Sequence, residues 1–356
     1  MLARKLAARG HSVGVVAPGP GPTVGEGYRI ARMAGVPFPI YPELRMSTSL
    51  LRVRRIARSR AWDGAIVLTP GPIGVATAMA LPRTTRLVNV YTTDIPRYLA
   101  TYSLERFSPW AERGLRWMAR RSVRTLCPTE HVREELASRG YVRLETWGRG
   151  VDADLFDPRR RCEAMRARLS GGHPEAPIVL FVGRLAREKR IADVHRAAEL
   201  LPGARFAFVG DGPERTRLEE LFAGMPAVFT GYLRGEELAT AFASADVFVF
   251  PSDTDTFGQV VLQAMACGVP PVVVGGTATA EFVPAGVAGM HVAPGRPEAI
   301  ACAVNRLITE PALRASMGIA ARECARRYSW DALMERMEGY LHGETTASSV
   351  SLAGRR

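Results

Sequence analysis

The chain has 356 residues, of which 47% are hydrophobic and 23% charged, with a formal net charge of +12. That length exceeds one ordinary domain and predicts two, and the composition excludes a disordered chain. The positive charge points to anionic partners. No helix-turn-helix, zinc-finger or RNA-binding pattern is present, so nucleic acid is disfavoured and acidic lipid or phosphorylated small molecules are left.

The chain opens on a helical stretch, MLARKLAARG, with no apolar core after its basic residues, so no signal peptide is predicted. A doubly wound half ordinarily starts with a strand and a phosphate-facing turn, and none precedes Met1–Gly10. The expectation is a native product that begins roughly 20–30 residues earlier, the length of one strand plus its turn. Strand-like runs follow at HSVGVVAPG, VPFPIY, GAIVLTPG, TRLVNVYTT, VRTLCPT and RLETWGRG. The segment from Arg97 to Arg124 has Ala111, Leu115 and Met118 at helical spacing, with Arg113, Arg116, Arg120 and Arg121 around Trp117. It suits either an anionic membrane surface or a core helix with a solvated basic face. The five arginines of Leu51–Arg60 leave the same choice open.

The second half repeats the rhythm, with strands at APIVLFVGRL, RFAFVGDG, AVFTGY, DVFVFPS, PPVVVGG and GMHVAP, and helices such as ERTRLEELF and GEELATAFASA between them. Apolar strands alternating with helices predict α/β architecture with two doubly wound, Rossmann-like domains, the first lacking its first strand. Linker composition places the boundary within Val151–Pro177. The expected division is 1–155, 156–327, a helix over 328–342 that packs back toward the first domain, and a disordered tail over 343–356. Two uncharged runs, Gly64–Pro82 and Val260–Glu281, carry Pro and Gly in their middles and read as strand plus helix, not as membrane spans. The cysteines Cys127, Cys162, Cys267, Cys302 and Cys324 have no CxxC spacing, and His131 beside Cys127 falls short of a zinc set, so buried reduced thiols are expected.

Three strand ends carry the chemistry. After Ile178–Val182, VGRLAREK sets Arg184 and Lys189 five residues apart, a fork and a point charge suited to a diphosphate, or else a solvated basic loop. Lys189 is one of only two lysines, with Lys5, among 47 basic residues. VGDGP, ending at Gly210–Pro213, resembles a phosphate turn without the full glycine pattern, and a plain tight turn accounts for it equally. In PSDTDTFGQVVLQAMACG, Thr256, Phe257 and Gly258 read as the start of a helix whose unpaired N–H groups form an anion site. Asp255 and Gln263 lie eight residues apart, ~12 Å if all helical, near the reach from sugar to ribose in a nucleotide sugar. The plainer readings are an N-cap for Asp255 and a surface position for Gln263.

These stretches, with TPGPIG, GDGPE and WGRGVDADLF, resemble the retaining glycosyltransferases of family 4, which have the two-domain GT-B architecture with a cleft between domains. The likeness covers nearly all of residues 1–342 and is closest to the branch of sulfoquinovosyl-diacylglycerol synthases and glycolipid α-mannosyltransferases. The resemblance implies transfer of a hexose from a nucleotide diphosphate sugar, GDP-mannose or a UDP-hexose, to a lipid acceptor by a cytoplasmic enzyme at the inner face of the membrane. It implies no cofactor and no metal. Arg184, Lys189 and Asp255 take the catalytic positions. The donor site adds Gly183, Gly231, Tyr232, Leu233, Thr256, Phe257, Gly258, Gln259 and Gln263, and Thr92 and Asp94 stand on the acceptor side. Three positions depart from the family pattern: Asp255 and Gln263 replace glutamates, and Thr92 replaces a histidine. The alternatives are a nucleotide-sugar epimerase and a non-catalytic homologue that binds a nucleotide sugar or a partner protein.

Overall fold

Short apolar runs bounded by Gly, Pro and polar turns become strands, and the amphipathic stretches between them become helices. The computed structural model describes residues 1–38, 41–47, 49–68, 71–92, 94–96, 105–255, 257–328 and 330–343. The chain forms two units, Met1–Trp147 with Asp331–Arg356, and Gly148–Trp330.

The first unit opens with helix α1 (Leu2–Ala8). Strand β1 (Gly14–Pro18) pairs in parallel with β3 (Tyr28–Met33), and β2 (Val24–Gly25) is antiparallel to β3. The sequence reading missed β2 and β3, because Arg29 and Arg32 interrupt the apolar pattern of YRIARM. Strands β4 (Gly35–Phe38) and β5 (Tyr41–Ser47) form a hairpin, and α2 (Leu50–Ala57) follows. A separate all-parallel sheet has the order β6 (Gly64–Leu68), β7 (Arg86–Val90), β8 (Arg124–Cys127), β9 (Leu144–Thr146). Its crossovers are α3 (Pro72–Ala80), α4 (Ser108–Arg121) and α5 (Glu130–Ser138). Val67, Leu87, Leu81 and Met118 pack together beneath it. The parallel strands of the first unit thus lie in two separate sheets, with β1 at one end of the first and β6 at one end of the second.

In the second unit, α6 (Glu163–Ser170) leads into a six-stranded parallel sheet of order β12-β11-β10-β13-β14-β15. The strands are β10 (Ile178–Val182), β11 (Arg205–Val209), β12 (Ala227–Gly231), β13 (Val247–Phe250), β14 (Pro271–Val274) and β15 (Met290–Val292). Helices α7 (Ile191–Glu199), α8 (Arg215–Leu221), α9 (Gly235–Ser244), α10 (Gln259–Ala266), α11 (Pro297–Thr309) and α12 (Pro311–Arg326) connect and cover them. The central strands are buried at every position, as their unbroken apolar runs require. Phe250 stacks on Phe181 and on Phe248, each with centroids 6.2 Å apart. The chain winds outward from β10 to β12, then returns to β13 and winds the other way. The winding reverses between β10 and β13, and ligands in open α/β sheets bind at the carboxyl ends of the strands at such a point.

Helix α13 (Trp330–His342) packs on the first unit. Glu338 accepts from Arg9 Nε at 3.1 Å and lies 2.8 Å from His11 Nε2, while Arg86 Nε donates to Tyr340 O at 2.8 Å. No described helix is long and apolar enough to cross a membrane. The cysteines are free, but Cys162 and Cys302 are exposed, against the expectation of buried thiols. Cys162 sits at the solvent-facing start of α6, and Cys302 lies on the outer side of α11. Residues 344–356, expected as a tail, lie outside the described residues.

Candidate functional site

The carboxyl ends of β10 and β13 bring two distant loops together. After Val182 the chain turns through Gly183–Ala186 into a single tight turn, Arg187–Lys189. After Phe250 it runs through Pro251–Gly258 to α10. Lys189 Nζ donates to both carboxylate oxygens of Asp255, at 2.6 and 2.7 Å, with both side chains largely buried. Ser252 Oγ and Thr254 Oγ1 donate to the Glu188 carbonyl at 3.2 and 3.5 Å and tie the loops further. The carboxylate oxygens of Glu188 are buried and accept no hydrogen bond among the described residues. Arg184 is half-buried at the same mouth. Arg190 occupies the left-handed region (φ 53°) and is held by Asp193 at 2.9 Å and Asp253 at 3.3 Å.

The start of the helix differs from the sequence reading. Helix α10 begins at Gln259, and Gly258 is its cap. Gly258 has φ +70°, and a Cβ there would meet Thr279 Cγ2 at 2.4 Å, so the position demands glycine. The cap has no side-chain hydrogen bond. Asp255 is therefore not an N-cap and is paired with Lys189 instead. Only Gln259–Gln263 of the Asp255–Gln263 interval is helical, a rise of ~6 Å in place of ~12 Å. Thr256 lies outside the described residues. The Phe257 ring is buried against Phe282 and Tyr328. Gln259 Nε2 donates to Gly150 O at 3.0 Å. Gln263 is half-buried on α10, and its side chain makes no hydrogen bond among the described residues.

On the other side of the sheet mouth, β12 ends at Gly231, Leu233 is buried and Tyr232 is exposed. Tyr232 Oη donates to Asp211 O at 3.4 Å, and the Arg234 guanidinium is 6.0 Å from the tyrosine ring centroid. The GDG turn packs backbone against backbone on the loop after β10: a Cβ at Gly210 would lie 1.9 Å from Gly183 O. That contact accounts for the glycine without a phosphate.

Thr92 and Asp94 belong to the first unit, just beyond β7. Asp94 is buried and accepts from Arg139 Nη1 at 3.0 Å. Arg139 also binds Glu112 at 2.5 Å and Glu135 at 3.3 Å. Burial opposes its charge, but the hydrogen bonds to Glu112 and Asp94 outweigh it and hold its pKa above the ordinary arginine value. Burial, and then the charge of Asp94, push the neighbouring Tyr91 up as well. On α4, Leu115 and Met118 are buried, Arg121 Nη2 donates to Pro82 O at 2.7 Å, and Trp110, Arg113, Trp117 and Arg120 form the exposed side. Residues 97–104 of the same expected segment lie outside the described residues. Among the described residues no group of three or more His, Cys, Asp or Glu could hold a metal ion.

The family described as "Glycosyl transferases group 1" matches residues 167–324, and "Glycosyltransferase Family 4" matches residues 1–155. A GDP-mannose-dependent alpha-mannosyltransferase of Mycobacterium tuberculosis is 33% identical over 345 residues, covering 94% of this chain and 89% of that protein. The chain belongs to the family 4 glycosyltransferases. Sulfoquinovosyl transferase SQD2 of Arabidopsis thaliana is 35% identical over 320 residues, 86% of this glycosyltransferase and 62% of the plant protein, so the chain spans less than two thirds of the plant protein's length. In fold the glycosyltransferase is similar to a sucrose-phosphate synthase from Thermosynechococcus elongatus (TM-score 0.78, 21% identity, 98% of this chain and 92% of that one). It is also similar to HepE of Anabaena, solved in complex with UDP and glucose (TM-score 0.71, 17% identity, 89% and 86%). It is a retaining glycosyltransferase of GT-B architecture with two Rossmann-like domains.

One residue of the second unit went unread in the sequence. Arg149, within the quoted WGRGVDADLF, lies 6.0 Å from the Phe257 ring centroid. Its only sequence signal is a guanidinium between two glycines at the point where the chain enters the second unit.

Proposed function

We propose that this glycosyltransferase moves a hexose from a nucleotide diphosphate sugar, GDP-mannose or a UDP-hexose, to a lipid or lipid-linked acceptor at the cytoplasmic, anionic face of a membrane. The observation that carries the donor reading is the pairing of Lys189 with Asp255, with Arg184 on the same loop after β10, where the sheet reverses its winding. In this reading the diphosphate lies between Arg184 and Lys189, with the first N–H groups of α10 turned toward it. Asp255 holds the sugar hydroxyls and Gln263 the ribose hydroxyls. Gly231, Tyr232 and Leu233 border the base. The acceptor hydroxyl attacks the anomeric carbon from the face that the diphosphate leaves. The bond from that carbon to the phosphate oxygen breaks, and the hydroxyl proton passes to the leaving phosphate. Arg184 and Lys189 stabilise the charge that develops there, which is an electrostatic task and requires no metal.

The GDP-mannose dependence in the names of the bacterial relatives supports a mannosyl donor, and the sulfoquinovosyl transferase supports a different sugar on the same architecture. The membrane reading rests on α4 and the residues just before it. Arg106 lies 4.8 Å from the Phe107 ring centroid and Arg113 5.6 Å from that of Trp110, and all four residues are exposed. Aromatic rings beside arginines on an exposed helical face suit the headgroup layer of an acidic bilayer.

The test is incubation of the purified chain with GDP-mannose and a panel of UDP-hexoses in the presence of acidic membrane lipid, followed by mass analysis of the lipid. A hexosylated lipid formed from one donor is the expected result. Absence of hexosylated lipid from every donor overturns the proposed donor and acceptor classes.

A further inference from the structure

Asp255 gives both of its carboxylate oxygens to Lys189. A second cation stands within electrostatic reach of the same acid. Arg149 is half-buried, and among the described residues its guanidinium makes no hydrogen bond and no ion pair. Burial lowers its pKa, and the charge of Asp255 opposes that shift.

The backbone around Arg149 is fixed. Gly150 O accepts from Gln259 Nε2 at 3.0 Å, so the loop is tied to the first residue of α10. Val151 N donates to Tyr328 O at 3.0 Å. The Trp330 ring lies so close to Gly150 that a Cβ there would come within 2.6 Å of it. Arg149 is thus delivered to the side of Phe257, two residues beyond Asp255, by a loop with little freedom of its own.

A diphosphate at the mouth of β10 and β13 requires Lys189 to leave Asp255, because an ammonium held by both oxygens of a carboxylate has little charge left to offer. Its departure strands a largely buried carboxylate, and a buried charge without a partner is costly. Arg184 and Lys189 against Asp255 and the buried Glu188 sum to no formal net charge, while the ligand carries two charged phosphates. Arg149 supplies the further positive charge.

We propose that Arg149 is a positioning residue that becomes the counter-ion of Asp255 when Lys189 turns to the diphosphate of the donor. This rests on the donor-site reading given above. A guanidinium suits the role: it keeps its charge when partly buried, and its planar fork matches both oxygens of a carboxylate. With no hydrogen bond to break first, the side chain reorients at small cost.

The experiment is calorimetric titration of GDP and of UDP into the full chain and into Arg149→Gln, Asp255→Asn and the double variant, with a melting curve for each. The expected result is that Arg149→Gln weakens nucleotide binding by about tenfold. Asp255→Asn binds at least as well as the wild type, since Lys189 is released in advance. In the Asp255→Asn background the second substitution then changes nothing. An equal loss in both backgrounds would mean that Arg149 touches the phosphate or serves packing alone, and overturns the proposal. Equal binding by wild type and Arg149→Gln overturns it as well. Binding of neither nucleotide by the wild-type chain overturns the donor-site reading itself, and the exchange with it. If Arg149→Gln does not melt cooperatively, Arg149→Met, which keeps the packing over Phe257, takes its place in the cycle.

Discussion

Lys189 and Asp255 are 66 residues apart in the chain and 2.6 Å apart in space. One comes from the loop after β10 and the other from the loop after β13, so the winding of the sheet alone brings them together. The contact makes a cation and an acid of the proposed donor site each other's partner.

Arg184→Ala and Lys189→Ala should each lower turnover by orders of magnitude. Loss of one preorganised charge that meets a developing anion costs roughly 3–4 kcal/mol in the transition state. Single-turnover rates of the purified variants check this, alongside melting curves to confirm folding. Near-normal rates in both variants would remove the diphosphate from this mouth.

Gln263→Glu should preserve or strengthen donor binding. The amide makes no hydrogen bond among the described residues, and a carboxylate there accepts ribose hydroxyls about twice as strongly as a neutral acceptor. Titration with GDP-mannose and UDP-glucose measures it. Weaker binding would show that the amide donates its N–H₂, or faces elsewhere.

Asp246 predicts the acid limb of stability. It is buried just before β13, where it accepts from Arg161 and Arg166 at 2.9 Å and from Ile178 N at 2.9 Å. Burial alone would raise its pKa, but these three donors overcome it and hold the group below the usual carboxylate value. Stability from a depressed acid is complete above the unfolded value, about pH 3.9, and is lost as pH falls through the folded one. Asp246→Ala should cost about 1–3 kcal/mol at neutral pH, because it removes the acceptor of the buried Ile178 N and the counter-ion of Arg166, while both arginines keep backbone carbonyl acceptors. In the variant, denaturant midpoints should also depend less on pH below about pH 4 than in the wild type. An unchanged midpoint would mean that the cluster contributes nothing.

Trp110→Ala with Trp117→Ala should weaken sedimentation with phosphatidylglycerol vesicles without moving the melting temperature. Both rings are exposed on α4 and carry little of the core. Arg113→Glu should add to the loss and make what binding is left less dependent on salt. Undiminished sedimentation of the triple variant would exclude α4 as the membrane-facing surface.

The sequence was legible where one physical pattern dominated. IVLFV, RFAFV and VFVF are apolar at every position, and only a strand covered on both faces suits them. The cations and the acid at their ends were legible as residue types, since a parallel sheet collects its ligands there. What escaped depended on three-dimensional neighbours. Gly258 moves the start of α10 to Gln259 because Thr279 leaves no room for a side chain, and Thr279 is not adjacent in sequence. Strand β3 hid behind Arg29 and Arg32. Arg149 carried no sign of its role until the loop at Gly150 was seen tied to Gln259.

The hydrogen bond from Val151 N to Tyr328 O, 3.0 Å long, brings the two ends of the second unit side by side. The chain enters that unit at Gly148 and leaves it at Trp330 through one doorway. In genetic terms residues 148–330 are a cassette inserted into another coding segment. Such a cassette can be exchanged for that of a relative with two closely spaced joints, and the rest of the chain need not be re-threaded. A cut at either joint alone leaves the pieces covalently linked through the other, so a lone nick does not part the second unit from the first.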